Sequence, residues 1–203
     1  MANNCSNELE ISGHPFLMEE FMKAYTRDGH FDFKNIIPMP SSEELQDMGT
    51  NSYDWSIENW GQKWYIDQAD WEDWDDTYYR ADFDTAWAPC TPVILRLIEL
   101  CPGLDFTFEY YEPGCAFLGW IYASDGEIYE DVEICCSSEP EAYWYHMFDK
   151  GYENLEWLYD LIEDQHESDE LTDEAYQELK DLLDDNTANL ETIVEKFLEY
   201  DIL

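Results

Sequence analysis

Positive charge is what this sequence has least of. Its 203 residues include 9 Lys and Arg against 49 Asp and Glu, which gives a formal net charge of −40 at pH 7. Proteins that bind nucleic acids or anionic membranes use clustered basic side chains to neutralise phosphates. The composition therefore excludes a conventional nucleic-acid binder and makes an anionic membrane a poor partner.

Long apolar runs and paired cysteines are missing too. No segment approaches the roughly 18 consecutive apolar residues of a membrane-spanning helix, and the first residues do not have the composition of a secretory signal. The six cysteines form no C-x-x-C pair and lie mostly in apolar surroundings, as in Ile134-Cys135-Cys136. We therefore expect a cytoplasmic protein whose cysteines are reduced core thiols.

Signatures of catalysis and of cofactor binding are also absent. The chain has no G-x-S-x-G, G-x-x-x-x-G-K or G-x-G-x-x-G motif. Glu163 and His166 have the spacing of half a di-iron site, but the second half is missing. The carboxylates of 67–84 lack the glycine and the terminal glutamate of a calcium-binding loop. We predict a protein without enzyme activity, without catalytic residues, and without a metal or other cofactor.

What the sequence does contain is apolar periodicity typical of an α+β fold. Alternation predicts strands near 8–12, 30–33, 77–86, 106–110, 116–123 and 128–134, and helical spacing predicts helices near 16–25 and 93–101. The order is β-α-β, a long irregular middle containing a Trp- and Asp-rich insert at 65–76, and then β-α-β-β-β. This order favours a mostly antiparallel sheet with helices on one face.

From Ser137 the pattern changes to amphipathic helices with acidic outer faces. Apolar stripes predict helices over 139–165, after the capping residue Thr172, and around 190–198. We therefore expect an α+β domain at 1–136, followed by an acidic helical segment at 137–203 that packs on it.

Five short stretches occur in a characteristic order, at 5–13, 31–40, 59–64, 83–89 and 111–119. The second ends in Ile36-Ile37-Pro38-Met39-Pro40, and the fifth begins Tyr111-Glu112-Pro113-Gly114. This ordered set resembles the YubB ferredoxin-like domain family of phages, prophages and conjugative plasmids. The resemblance implies a ferredoxin-like α+β fold and a mobile-element origin. It implies no chemistry, because the family has no established activity.

The acidic excess suggests a function. Duplex DNA carries about one negative charge per 1.7 Å of axis, and a compact chain of this length is about 43 Å across. Acids covering one or two of its faces therefore reach a DNA-like charge density, whereas solubility needs a net charge of only about 2–8. We hypothesise a DNA mimic: a phage- or mobile-element-encoded inhibitor that blocks a basic, nucleic-acid-binding host defence protein, such as a restriction nuclease or a CRISPR effector, in the host cytoplasm.

Two acidic clusters are predicted to carry this mimicry, because both lie outside the five stretches and at expected turns. The first, in the insert, consists of Asp70, Glu72, Asp73, Asp75 and Asp76. The second, between the first two helices of the acidic segment, consists of Glu163, Asp164, Glu167, Asp169, Glu170, Asp173 and Glu174.

Two alternatives remain open. In the first, halophily or plain solvation, the acidity only keeps the protein hydrated in salt. The second is a non-catalytic protein-interaction module that uses the Trp-rich region 55–87, with the acidity serving only solubility. Against this, most of the six tryptophans in that region are interpreted as core and edge packing. A platform for stacking bases is disfavoured because it would require a cationic groove.

Overall fold

A computed structural model describes residues 3–28, 30–66, 69–168, 170–185 and 187–203. The chain divides into two units, Met1–Glu133 and Ile134–Leu203. The division follows residue 133, whereas the sequence pattern placed the boundary after residue 136. The expected packing of the second unit on the first stays a prediction.

The first unit is built around a six-stranded sheet. Within the described residues its elements are β1 (Asn4–Gly13), α1 (Pro15–Tyr25), β2 (Thr26–Arg27), β3 (His30–Phe31), α2 (Phe33–Ile36), α3 (Ser42–Asp47), α4 (Ser52–Trp60), β4 (Trp71–Trp74), β5 (Tyr78–Ala86), α5 (Thr91–Leu100), β6 (Leu104–Glu112), β7 (Phe117–Ser124) and β8 (Glu127–Cys135), of which the last two residues follow the division. The strand order is β4-β5-β1-β6-β7-β8, and β2 and β3 form a separate pair.

The sheet is antiparallel where its register is defined. Central strand β1 pairs with β5 on one side and β6 on the other, and β4 pairs with β5 and β6 with β7. Alternate residues of these strands share a core with α1 and α5, whose apolar residues recur at helical spacing. The sequence-based prediction of a mostly antiparallel α+β fold with helices on one face is confirmed.

Two helices occupy the middle of the unit that the sequence reading left irregular. Helix α3 begins with a capping box in which the Ser41 and Glu44 side chains bond to each other's backbone N–H groups. Helix α4 is capped at its start by Asn51, whose side chain accepts hydrogen bonds from two backbone amides, and at its end by Gly61 with φ of 78°. These caps were readable signals, so the irregular assignment was wrong here.

Two further predictions are corrected. The insert at 65–76 contains a strand of the main sheet, because β4 pairs with β5 from Trp71↔Asp82 to Trp74↔Tyr79. The strand predicted at 30–33 stops at Phe31, because the Asp32 side chain accepts a hydrogen bond from the Lys34 backbone and caps the short helix α2.

The second unit is helical. It contains α6 (Pro140–Asp149), α7 (Glu156–Glu167), α8 (Asp173–Asp184) and α9 (Leu190–Glu199). The single helix predicted over 139–165 is divided into α6 and α7, and Gly151 adopts φ of 72° in the connection. Thr172 caps α8 as predicted, accepting a hydrogen bond from Ala175 N at 3.3 Å. The apolar stripes meet in one core that includes Leu158, Leu179 and Phe197.

Candidate anionic interface

The face of the main sheet opposite its helices is lined with carboxylates. Strand alternation places polar side chains there from β1, β4, β5 and β6. We call the following residues the sheet-face acids: Glu8, Glu10, Asp73, Asp82, Asp84, Asp105 and Glu109. The strand register aligns Asp82, Glu8 and Glu109 in one row across β5, β1 and β6.

Arg80 is the single Lys or Arg within the six described strands of this sheet. Its guanidinium lies 2.6 Å from Glu8, 3.5 Å from Glu10 and 3.2 Å from Asp82, measured between nitrogen and oxygen. One cation thus serves three carboxylates, so the face remains strongly negative. Arg80 also lies over the Trp71 ring, 5.4 Å from its centroid.

Glu8 shows the electrostatic cost of this arrangement. Partial burial raises its pKa above the ordinary value, and repulsion by Asp82, Glu10 and Glu109 acts in the same direction, whereas Arg80 opposes them. The fold therefore holds a carboxylate where ionisation is disfavoured. The alternation of acids in the strands was a readable signal for this face, and the sequence analysis missed it.

The first predicted cluster lies on and next to the edge strand β4. Asp70, Asp73, Asp75 and Asp76 are exposed. Glu72 is not: its side chain is 4% exposed and points to the core side, opposite Ala81. Its Oε1 accepts hydrogen bonds from Phe31 N at 2.7 Å and from the Tyr79 hydroxyl at 2.6 Å. Glu72 is thus a structural residue, and its prediction as an interface residue is corrected.

The second predicted cluster surrounds the connection from α7 to α8. Its members Glu163, Asp164, Glu167, Glu170, Asp173 and Glu174 are exposed, and we call them the helix-turn acids. Asp169 lies outside the described residues.

Helix stability accounts for only some of the helix-turn acids. Asp173 and Glu174 occupy the first turn of α8, where the helix dipole favours negative charge. Asp164 and Glu167 lie near the carboxyl end of α7, where the dipole disfavours it, and Glu163 and Glu167 repel each other at i,i+4 spacing. Glu163, Asp164 and Glu167 of α7 therefore oppose local stability.

Basic side chains throughout the described residues contact a carboxylate or an aromatic ring. They include Lys23, Arg27, Lys34, Lys63, Arg80, Arg96, Lys180 and Lys196. The positive charge of the protein is thus largely engaged internally, whereas most acids face solvent.

The six tryptophans of region 55–87 divide into two groups. Trp55 and Trp60 are buried, in edge-to-face contact at 5.3 Å. Trp64, Trp71, Trp74 and Trp87 are exposed. Two of the six rings thus pack in the core and Trp71 and Trp74 lie on the edge strand β4, but the interpretation as core and edge packing did not predict that four rings would be exposed.

The surroundings of several cysteines raise the pKa of their thiols and so disfavour nucleophilic chemistry. Burial raises the pKa of Cys5 to about 12 and that of Cys101 to about 11. A hydrogen bond to the Glu112 carboxylate raises the pKa of the exposed Cys115. Each shift disfavours the thiolate, which is the nucleophilic form.

The described residues offer neither a cluster of metal ligands nor a helix suited to a membrane. The described part of the chain groups no three His, Cys, Asp or Glu side chains in a way that would hold a metal ion. None of the helices in the described ranges has the length and apolar character that crossing a bilayer requires. The absence of enzyme activity and of cofactors stays a prediction.

The fold and these surfaces define a ferredoxin-like α+β protein with a strongly acidic exterior. Residues 68–146 match a family model described as a ferredoxin-like domain in Api92-like protein. A similar solved structure is the crystal structure of a protein api92 from Yersinia pseudotuberculosis, with a TM-score of 0.53 and 11% sequence identity. The match covers 66% of this chain and 98% of that chain.

At 11% identity this likeness shows the fold alone. No curated protein sequence matches the chain. The comparisons support a ferredoxin-like domain of the Api92-like kind, and the narrower resemblance to the YubB family stays a prediction.

Proposed function

We propose that this protein is a non-catalytic inhibitor that imitates nucleic acid and occupies the basic groove of a nucleic-acid-handling protein. The observation that carries the proposal is that the carboxylates of the protein largely lack cationic partners, whereas its basic side chains contact other groups of the protein. The sheet-face acids share one arginine, and the helix-turn acids are exposed, whereas nearly every cation is engaged within the molecule. A basic groove would therefore meet carboxylates with few competing positive charges.

The spacing of the sheet-face acids suits this role. Neighbouring strands lie about 4.8 Å apart, and residues i and i+2 of one strand lie about 6.8 Å apart. The row Asp82, Glu8 and Glu109 therefore presents one carboxylate about every 4.8 Å. One strand of DNA carries a phosphate about every 3.4 Å of axis. The charge spacing of the sheet face is thus of the same order.

The arrangement also lacks a purely structural explanation. Burial and mutual repulsion make ionised Glu8 unfavourable, and Asp164 and Glu167 at the carboxyl end of α7 oppose its helix dipole. Solubility alone would be achieved with far fewer charges. The resemblance to a family of phages and plasmids adds a context in which host nucleases or CRISPR effectors are the targets, in the host cytoplasm. Direct nucleic-acid binding is not part of the proposal.

The test is capture of a target from bacterial lysate on the immobilised protein, followed by competition with duplex DNA. A mimic should release its target as salt rises, because screening acts within about 8 Å at physiological ionic strength. DNA and this protein should exclude each other from the purified target. If both bind it together, mimicry is wrong.

Three matched variants locate the interface. The first neutralises Asp73, Asp84 and Asp105 to Asn, and the second changes Glu163→Gln, Asp164→Asn and Glu167→Gln. The control changes Glu43→Gln, Asp47→Asn and Glu58→Gln, which are exposed on α3 and α4. All three remove the same charge, so only the first two should slow association. If neither differs from the control, mimicry by these surfaces is refuted.

The exposed tryptophans favour a second candidate, a protein-interaction module that uses region 55–87. Four of its six indoles remain exposed although they are large and apolar. Under this alternative, Trp71→Ala together with Trp74→Ala abolishes capture, and the acid variants leave it unchanged. Salt would then have little effect on release of the target.

A further inference from the structure

A groove runs between the start of α1 and the turn that joins β4 to β5. Its volume is about 730 Å³, and its walls include Phe16 and Met22 of α1 and Trp74 of β4. Phe16 is 62% exposed and Trp74 is 46% exposed, although both are large apolar side chains. Glu19, Asp75 and Asp76 supply carboxylates at its rim.

The wall formed by the β4–β5 turn is held in place. The Asp75 carboxylate accepts hydrogen bonds from the Thr77 backbone at 2.7 Å and from the Thr77 hydroxyl at 2.9 Å. The Gly13 amide, just before α1, donates to the Thr77 carbonyl at 3.0 Å. The turn is therefore tied to the start of the opposite wall, so little conformational freedom is lost when the groove is occupied.

The four exposed tryptophans differ in what they contact. Lys63 lies 3.8 Å from the centroid of the Trp87 ring and 5.6 Å from that of Trp64, and Arg80 lies 5.4 Å from that of Trp71. Three of the four indoles thus already make a cation–π contact with Lys63 or Arg80. Among the described residues, Trp74 has no such cation, although carboxylates adjoin it in the groove.

We propose that this groove binds a segment of a partner protein that presents an Arg or Lys between apolar side chains. The cation would lie over the Trp74 indole with Asp75 and Asp76 nearby, and an apolar neighbour would contact Phe16 and Met22. Cation–π contact and charge complementarity act together at such a site. A volume of about 730 Å³ lies within the range of about 300–1,000 Å³ typical of ligand pockets.

Charge complementarity decides between occupants. A second copy of this chain would bring another net charge of −40, and nucleic acid would bring phosphates to the same carboxylates. A basic and apolar segment is attracted by the rim and buries the exposed rings. The proposal does not depend on nucleic-acid mimicry, because it concerns recognition of an apolar–cationic peptide that DNA does not resemble.

The experiment uses the full chain and three peptides: Ac-Gly-Leu-Arg-Leu-Gly-NH2, the same peptide with Gln in place of Arg, and Ac-Gly-Gly-Arg-Gly-Gly-NH2. Binding is followed by NMR through the Trp74 indole N–H and the Met22 methyl group. The first peptide should shift both signals and bind at least tenfold more tightly than either of the others. Equal binding of the Arg and Gln peptides, or shifts confined to other residues, would overturn the proposal.

Variants separate the contributions. Trp74→Leu should weaken binding of the first peptide about two- to fivefold, the loss expected for one exposed cation–π contact. Asp75→Asn with Asp76→Asn should also weaken it, and this loss should shrink in high salt. Trp71→Ala, on the same strand and similarly exposed, is the control and should bind normally. Unchanged binding by the Trp74 variant refutes the proposal, as does concentration-dependent self-association that blocks the groove.

Discussion

Replacing Glu72 should destabilise the protein far more than replacing its neighbour Asp73. The two acids are adjacent on β4, but Asp73 is exposed on the sheet face and Glu72 is buried against the core. Glu72 Oε1 accepts both the Phe31 amide and the Tyr79 hydroxyl, and His30 contacts its Oε2. In Glu72→Ala, two buried donors lose their acceptor.

The magnitude follows from those two hydrogen bonds. A hydrogen bond to a charged group contributes about 1.5–3 kcal/mol. Removing the buried carboxylate also relieves its desolvation, which offsets part of the loss. We expect Glu72→Ala to lower the free energy of unfolding by about 3 kcal/mol. For a chain of this length, this corresponds to a fall in Tm of about 6–12 °C.

Urea and thermal unfolding, followed by circular dichroism, measure this difference. Glu72→Gln should be much milder, at about 1 kcal/mol, because its carbonyl oxygen can accept both donors. Asp73→Ala should remain within about 0.5 kcal/mol of the parent protein. If Glu72→Ala and Asp73→Ala are equally stable, the assignment of Glu72 as a structural residue is refuted.

Three further predictions concern other parts of the molecule. Glu8→Gln should stabilise the protein at pH 7, because the raised pKa of Glu8 means that its ionised form opposes folding. In urea titrations at several pH values the difference should disappear below about pH 4.5, and a difference that persists there would contradict this cause. Gly61→Ala should lower the Tm of the protein more than Gly49→Ala, because both glycines have positive φ but only at Gly61 would a Cβ lie 2.8 Å from Pro92. Equal effects in thermal unfolding would exclude this clash. Phe197→Ala should lower the free energy of unfolding by about 3–5 kcal/mol, because it leaves a cavity in the core of the second unit. The helical circular dichroism signal should then be lost at a lower urea concentration, and an unchanged urea midpoint would contradict the burial of Phe197.

Local patterns predicted much of the fold. The alternation in β5 and β6, the apolar stripe of α5 and the Thr172 cap each depend on residues a few positions apart, so the sequence reveals them directly. Composition likewise determined that the surface would be acidic. The caps of α3 and α4 were equally local, and a closer reading would have found these helices.

Other features depend on pairing between distant segments, and only the tertiary structure decided them. Trp71–Trp74 becomes a strand because β5 offers it an edge, and their register turns Glu72 to the core and Asp73 to the open face. Pairing of β5 with β1 aligns Asp82 with Glu8, and Trp74 of β4 lines the same groove as Phe16 of α1. Local periodicity shows which residues share one face of a strand, but it does not show which distant segment lies beside that strand, and this decides the rows and grooves that the side chains form.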